Sequence, residues 1–475
     1  MNNLEHFIKG FEIFTAFYSF SYITIYLLLA ILSYFAIKKH YNSKYTLHKK
    51  VVIKSNYALG VSIIAPAFNE GLTIVSNTKS LLSQEYPKFE VIIINDGSTD
   101  NTLEQLVTEF ELIEVPFYYK EQIPTQKVRG HYKSTNPLYS KLLIIDKVNG
   151  GSKADASNAG INSAKYSLFL CTDVDCILRK DTIVMLIKPF IESKTKVIAT
   201  GATIRISNSC EFKDGKLAVS HYPKNFFARF QELEYIRSFI FGRMAWSKMN
   251  SLLIVSGGLG LFDRRLAINV GGYWHKSLGE DIELIIRMRK RMHERKKDYK
   301  ISYIPETLCW TEVPSTLKIF LRQRTRWARG LFQTLYLHKN ILFNPKYGKT
   351  GSLAFPYFIF FEFLVPILEV TGLIVLLIDY LFFSINYDFL LIISVFVYLF
   401  YTSITLVSIL LDQLLNRQYS NKKEILTLIL MVFLEPIIYH PINIYASIKG
   451  YISFLVGRKQ DWGTMPRNGF NNTIE

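Results

Sequence analysis

Cysteine is scarce: Cys171, Cys176, Cys210 and Cys309 are the only four in 475 residues. None forms a CxxC pair, and their spacing fits neither a zinc site nor a disulfide framework. Reduced thiols in a cytoplasmic domain are the expectation. Charge is sparse too. With 20% charged and 49% hydrophobic residues, the chain is too apolar for a wholly soluble protein of this length. Acidic residues fall short of basic ones, 39 against 56, which leaves a formal charge of +17. Such a balance suits nucleic acid, anionic lipid or a phosphorylated substrate. No nucleic-acid module stands in the order of elements, and much of the excess Lys and Arg flanks apolar spans. The charge therefore reads as membrane topology with its basic side inward, plus a share for a diphosphate site. The N-terminus also lacks the basic, apolar and small-residue succession of a cleaved signal peptide.

Aromatic residues, in contrast, are plentiful, and 29 Tyr with 35 Phe suit both a membrane interface and a sugar-stacking surface. The stretch from Ile13 to Ile37 carries no charge and exceeds the roughly 20 residues that cross a bilayer. Lys38, Lys39, His40, Lys44, Lys49 and Lys50 follow it and should stay inside, with the N-terminus outside. Later come three more apolar stretches, Phe363 to Phe383, Phe389 to Leu411 and Ile425 to Ile448. Lys422, Lys423, Lys449, Arg458, Lys459 and Arg467 mark the last loop and the tail as inside. Three single crossings would put that tail outside. Either 425–456 crosses twice as a hairpin, giving five crossings in all, or one segment lies only in the interface. Glu362, Glu369, Asp379, Glu435 and His440 are costly in a bilayer, so they are candidate pore-lining groups, with buried pairing as the competing reading.

The chain thus divides into an N-terminal transmembrane helix with a basic linker (1–50), a cytoplasmic domain (51–344), a C-terminal transmembrane bundle (345–457) and a basic cytoplasmic tail (458–475). Within the cytoplasmic domain, short apolar strands at 61–65, 89–94, 141–146 and 167–171 alternate with helices at 73–83, 102–110 and 153–164. That alternation predicts an α/β fold with a mostly parallel, doubly wound sheet. Ligands bind such sheets at the carboxyl ends of the strands.

The four strands are followed by PAFNEG (66–71), NDGSTD (95–100), GGSKAD (150–155) and TDVD (172–175). A diphosphate leaving group needs a divalent cation, and Mg²⁺ or Mn²⁺ prefers hard carboxylate oxygens. Asp173 and Asp175 stand one residue apart at a strand end and can divide between a ribose and a metal. Taken singly, Asp96 reads as a turn residue and Asp155 as a helix N-terminal acid. Their convergence on one sheet edge is what makes them a site. Further on, Ser256 to Arg265 is glycine-rich and open to close substrate approach. Asp281 opens a helix beside Glu280 and can serve as a general base, with His275 as a rival. On the helix expected over 316–337, Gln323, Arg326 and Trp327 share a face that offers amide, guanidinium and indole. An interfacial helix would show the same pattern. The basic stretch 117–139, with Lys120, Lys127, Arg129, His131 and Lys133, reads as a solvated loop or as a lid over the diphosphate.

In order, NDGS, KAD, DVD, GED and QRTRW between membrane flanks resemble glycosyltransferase family 2. The resemblance is to its membrane-bound processive branch, which contains the poly-N-acetylglucosamine, hyaluronan, chitin and cellulose synthases, and most to the first of these. It covers roughly residues 61–330. It implies a GT-A fold and an inverting transferase that extends a β-linked glycan from a UDP-sugar, with UDP-N-acetylglucosamine a candidate donor. It also implies that Asp96 and Asp155 hold the uridine, with Lys153 in the same motif, Asp173 near the ribose and Asp175 on the metal. Asp281 would be the catalytic base beside Glu280. Gln323, Arg326 and Trp327 would bind the diphosphate and the acceptor sugar. The expected partners are the UDP-sugar, the glycan acceptor and the lipid bilayer of the inner (plasma) membrane, with room for an accessory subunit in export and no nucleic acid. Two rival readings are a single addition to a lipid or polyprenyl-phosphate acceptor, and an inactive scaffold or transporter.

Overall fold

Short aliphatic runs separated by helices have few ways to lose water except by lying side by side. In the computed structural model, which describes residues 2–43, 58–213, 216–382, 387–416, 419 and 421–458, they do so. The strands are β1 (Val61–Ala67), β2 (Phe89–Asp96), β3 (Leu112–Glu114), β4 (Val128–Ser134), β5 (Leu142–Lys147), β6 (Leu168–Thr172), β7 (Ile177–Leu178), β8 (Val197–Ile206), β9 (Cys210–Lys213), β10 (Lys216–Ser220), β11 (Leu259–Asp263) and β12 (Lys300–Thr311). Ten of them form one sheet in the order β3-β4-β5-β2-β1-β6-β11-β8-β12-β7, and β9 pairs with β10 apart from it. Its centre, β5-β2-β1-β6, is parallel, as expected. Three antiparallel insertions, β4, β11 and β7, were not foreseen.

The expected strands all form, but all four end one or two residues later than their apolar runs. Asp96 and Lys147 are therefore the last residues of β2 and β5 and stand opposite each other in register. A buried ion pair between them keeps these polar residues in the ladder.

The helices of the domain are α1 (Asn2–Ser43), α2 (Ile74–Leu82), α3 (Thr102–Glu109), α4 (Lys153–Ser163), α5 (Thr182–Glu192), α6 (Phe226–Ile236), α7 (Arg243–Lys248), α8 (Arg264–Asn269), α9 (Glu280–Glu294) and α10 (Leu317–Leu337). The apolar C-terminal third forms α11 (Leu364–Phe382), α12 (Tyr387–Asn416), α13 (Lys422–Leu434) and α14 (His440–Leu455). Among the described residues, four helical stretches are long and apolar enough to cross a membrane: Leu4–Asn42, Thr350–Phe382, Leu390–Asn416 and Lys422–Leu455. The basic linker at 44–57 and the tail from 459 lie outside the described residues.

The last stretch contains no hairpin: α13 runs into α14 through a π-helical turn at Glu435–Tyr439. Both its ends rest on the domain that carries the sheet. At one end Glu424 accepts a hydrogen bond from the Tyr222 amide at 3.2 Å, and at the other Arg329 donates to Ser453 at 3.0 Å. Near that second end, a Cβ at Gly450 would stand 2.6 Å from the Thr325 carbonyl, so glycine lets α14 lie directly on α10.

Buried charges on and beside α6 join the domain to the apolar helices. Arg205 of β8 is fully buried between Glu232, 2.5 Å away, and Asp412 of α12, and Tyr419 donates to Glu232 at 2.8 Å. Arg237, just beyond α6, grips Glu435 at 2.9 and 3.0 Å, and Tyr401 donates to the same carboxylate at 2.9 Å. Removing one member of a buried ion cluster leaves the others uncompensated. Arg205→Met is expected to cost about 3–5 kcal/mol of stability, read as a large fall in the thermal unfolding midpoint of detergent-purified protein.

Candidate functional site

The carboxyl ends of β1, β2, β5 and β6 open onto one cavity of about 1700 Å³. Asp96, Lys153, Asp173, Asp175, Glu280, Asp281, Gln323, Arg326 and Trp327 all line it. Asp155 does not. The cavity also runs on between the apolar helices, past Tyr26, Phe361, Tyr401 and His440.

Two turns frame its floor. Asn69, in the left-handed region at φ 56°, accepts from the Thr99 amide at 2.8 Å, while Asp100 accepts from the Gly71 amide at 3.0 Å. These bonds tie PAFNEG to NDGSTD. Asp96 Oδ1 takes a 2.5 Å ion pair from Lys147 and a 3.0 Å hydrogen bond from the Gly150 amide. Burial raises the Asp96 carboxyl above the ordinary range, and Lys147 opposes that shift. Asp155 points the other way from the cavity: its carboxylate meets Lys147 at 2.5 Å and accepts from the Gln126 amide at 3.1 Å.

The next strand end holds the acidic pair. Lys153 is bound to Asp173 and donates to the Gly257 carbonyl at 2.6 Å, so one ammonium joins the α4 turn to the loop before β11. Burial works against that charge, but Asp173, Cys171 and Glu280 together outweigh it and the Lys153 pKa rises. Ligand atoms of Asp173, Asp175 and Cys176 lie within 4.8 Å of one another. Two hard carboxylates at that spacing fit a divalent cation of the Mg²⁺ or Mn²⁺ kind.

The antiparallel strand β11 is what brings the second half of the site home. It lies against β6, so Gly257 and Gly258 stand beside the acidic pair; a Cβ on Gly258 would be 3.5 Å from Asp173 Oδ2, and one on Gly257 3.4 Å from Asp281 Oδ2. The first turn of α9 presents Glu280 and Asp281, and α10 crosses it at glycines, with a Cβ on Gly330 meeting the Gly279 nitrogen at 2.8 Å. This close approach seats Gln323, Arg326 and Trp327 over the same cavity. Arg324, their neighbour, lines the cavity too and is held there by Glu234 at 2.5 Å and by Tyr439 at 3.1 Å.

Other expected groups fall elsewhere. His275 is exposed and outside the cavity. The basic stretch 117–139 forms no lid: its centre is β4, which pairs with β5, and its lysines are exposed at the sheet edge. His131 there is buried and stacked on Phe117 at 4.5 Å, and burial pushes its pKa down to about 4. Of the five polar groups flagged in the apolar helices, Glu362 and His440 line the cavity. Glu435 is instead held by Arg237, and Glu369 pairs with His440 at 2.9 Å. Lys147 was missed because the strand before it reads as complete at Asp146; the tetrad IIDK, with a lysine ending an apolar run, was its only signal.

Glu280 is buried beside Asp281, and burial first, then that neighbour, pushes its pKa up to about 7. A carboxyl whose folded pKa is raised favours the folded state at low pH, and that contribution is lost as pH rises through about 7. Glu280→Gln should therefore melt near wild type at pH 5 but above it at pH 8, as read by thermal unfolding across that range.

Comparison with known proteins agrees with this geometry. Residues 62–120 match a family model described as glycosyl transferase family 2, and residues 137–330 one described as glycosyltransferase like family 2. A poly-beta-1,6-N-acetyl-D-glucosamine synthase of Staphylococcus epidermidis is 27% identical over 462 residues, 93% of this chain and 94% of that one. A Staphylococcus aureus protein of the same name is 27% identical over 329 residues, 69% of this chain and 66% of that one. Among solved structures, a mannosyltransferase of Pyrobaculum calidifontis, in complex with GDP-mannose and Mn²⁺, superposes with a TM-score of 0.54 at 17% identity, covering 92% of this chain and 100% of that one. That likeness identifies the fold as GT-A. The chain is a glycosyltransferase and belongs to glycosyltransferase family 2.

Proposed function

We propose that the protein is a membrane-embedded, inverting glycosyltransferase that extends a β-linked polysaccharide from a UDP-sugar, with UDP-N-acetylglucosamine as donor. One observation carries this reading: carboxylates from three distant segments, Asp96, Asp175 and Asp281, line a single cavity that continues between apolar helices. The staphylococcal relatives, named as poly-beta-1,6-N-acetyl-D-glucosamine synthases, support the product class.

Asp96 receives the uracil end of the donor at the floor. Asp175 would hold a Mg²⁺ or Mn²⁺ ion, with Asp173 beside it near the ribose, and that ion would neutralise charge on the departing diphosphate. Arg326 supplies guanidinium donors to the same oxygens. Gln323 and the Trp327 indole hold the acceptor sugar. Asp281 takes the proton of the acceptor hydroxyl as its oxygen bonds to the anomeric carbon. The bond from that carbon to the diphosphate oxygen breaks, and the nucleoside diphosphate leaves with the electron pair. Attack from the face opposite the leaving group inverts the centre. Asp281→Asn should lower turnover about 10²–10⁴-fold while leaving UDP affinity within about threefold, because it removes the general base and no donor contact. Radiolabelled donor assays on purified protein, beside UDP titration, check both halves; an unchanged rate removes Asp281 from the mechanism.

Where the helix ends rest supports one membrane topology. The helix α1 brings the chain to the domain, α11 leaves it, and α12 returns to place Asp412 on Arg205. Since α13–α14 touches the domain at both ends, it lies along the interface and the tail stays on the domain side. A single cysteine at Asn472, in a variant with the native cysteines replaced, should react with a membrane-impermeant maleimide in inverted vesicles and not in intact cells. Labelling in intact cells would reverse this assignment.

A further inference from the structure

Lys147 has no part in the reading above, yet it is the most completely enclosed charge at the donor end. Its side chain has no exposure to solvent, and its ammonium meets Asp96 Oδ1 at 2.5 Å, Asp155 Oδ2 at 2.5 Å and the Val148 carbonyl at 2.6 Å. Three partners saturate the three ammonium donors. Nothing remains to reach a ligand. Asp155 is similarly committed to Lys147 and the Gln126 amide, and the space beside it is closed, since a Cβ on Gly150 would stand 2.2 Å from its Oδ2.

The consequence falls on Asp96. Its Oδ1 is taken by Lys147 and by the Gly150 amide, while the residue lines the cavity. A carboxylate held this way offers its other oxygen, Oδ2, as an acceptor that does not rotate. We propose that Lys147 is a positioning residue for the donor: it keeps Asp96 as a fixed, ionised, single-oxygen acceptor for the imide N–H of uracil, and Asp155 acts through Lys147 without touching the nucleotide. This rests on the assignment of Asp96 to the uracil. It replaces the expectation that Asp155 is itself a uridine ligand.

The chemistry sets the discrimination. An ionised carboxylate accepts and cannot donate. Uracil presents an N–H at its third ring position, whereas cytosine presents a lone pair there, so cytosine is refused by an acceptor that has lost its ability to protonate. Without Lys147 the two buried carboxylates would face each other with no cation between them, and like charges at that distance hold a shared proton. Asp96 would then become a mixed donor and acceptor near neutral pH. The other charges packed against this group are Asp146 on β5 and Arg129 on β4, which pair with each other at 2.7 Å. Asn95 also donates to Asp146 at 2.7 Å, so that pair is satisfied apart from the triad.

The test is titration of UDP with Mn²⁺ into full-length, detergent-purified protein at pH 6.0, 7.0 and 8.5, each variant divided by wild type at the same pH. Lys147→Met should weaken UDP about tenfold or more at pH 6.0 and less at pH 8.5, since one unit of carboxyl pKa is a factor of ten. Asp155→Asn alone should stay within about threefold, and Lys147→Met with Asp155→Asn should recover most of the loss by removing the like charge. CDP in place of UDP should gain on Lys147→Met relative to wild type. A Lys147→Met penalty equal at all three pH values, or a double variant no better than the single, overturns the proposal. A large, pH-independent loss from Asp155→Asn that persists in the double variant would make Asp155 a direct ligand instead. Asp96→Asn that binds UDP like wild type would sink the assignment of Asp96 itself, a separate failure.

Discussion

Negative charge gathered where more negative charge must bind is the constraint on which the rest of this structure depends. Asp96, Asp155, Asp173, Asp175, Glu280 and Asp281 crowd one end of the sheet, around a cavity proposed to admit a nucleoside diphosphate. Left alone they would protonate or drive the strand ends apart. Two lysines, one fully and one largely enclosed, prevent this by bridging groups that are remote in sequence: Lys147 joins Asp96 to Asp155, and Lys153 joins Asp173 to the loop before β11. Lysine counter-charge thus reaches Asp96, Asp155 and Asp173 at the donor end of the cavity.

The same device fastens the domain to its apolar helices. Beside α6, Arg205 holds Glu232 and reaches Asp412 of α12, and Arg237 meets Glu435. Arg205, Asp412 and Glu435 are fully buried, where breaking a pair is costly, so moving the domain against these helices would expose an unpaired charge. Glycines at 279, 330 and 450 then allow α9, α10 and α14 to stack at backbone contact. The cavity keeps one continuous wall from the strand ends to the apolar helices as a result.

Much of this was legible beforehand. The parallel centre of the sheet showed in short aliphatic runs bounded by turn residues, and all four strand-end motifs sit where the doubly wound pattern puts them. Nine of the ten site residues chosen from the motifs line the cavity, the exception being Asp155, whose side chain serves Lys147. The insertion β11 was not legible, because an antiparallel strand within an otherwise parallel sheet carries the same apolar signature. Stretch 117–139 reads as basic and irregular, yet β4 pairs its backbone with β5, a choice made by hydrogen bonding that side-chain polarity does not reveal.

By itself the sequence determined which chemistry was on offer: carboxylates after apolar runs, a guanidinium and an indole on one helical face, and uncharged stretches long enough for a bilayer. Local periodicity and composition are sufficient for that, since each depends on residues a few positions apart. Which carboxylates meet a cation, which face the cavity, and that α13–α14 lies on the domain at both ends were decided only by the tertiary structure. Several of those outcomes turn on contacts of 2.5 to 3.2 Å between groups remote in sequence, such as Lys147 with Asp96, Lys153 with Gly257 and Tyr222 with Glu424. No pattern along the chain encodes a separation of that kind.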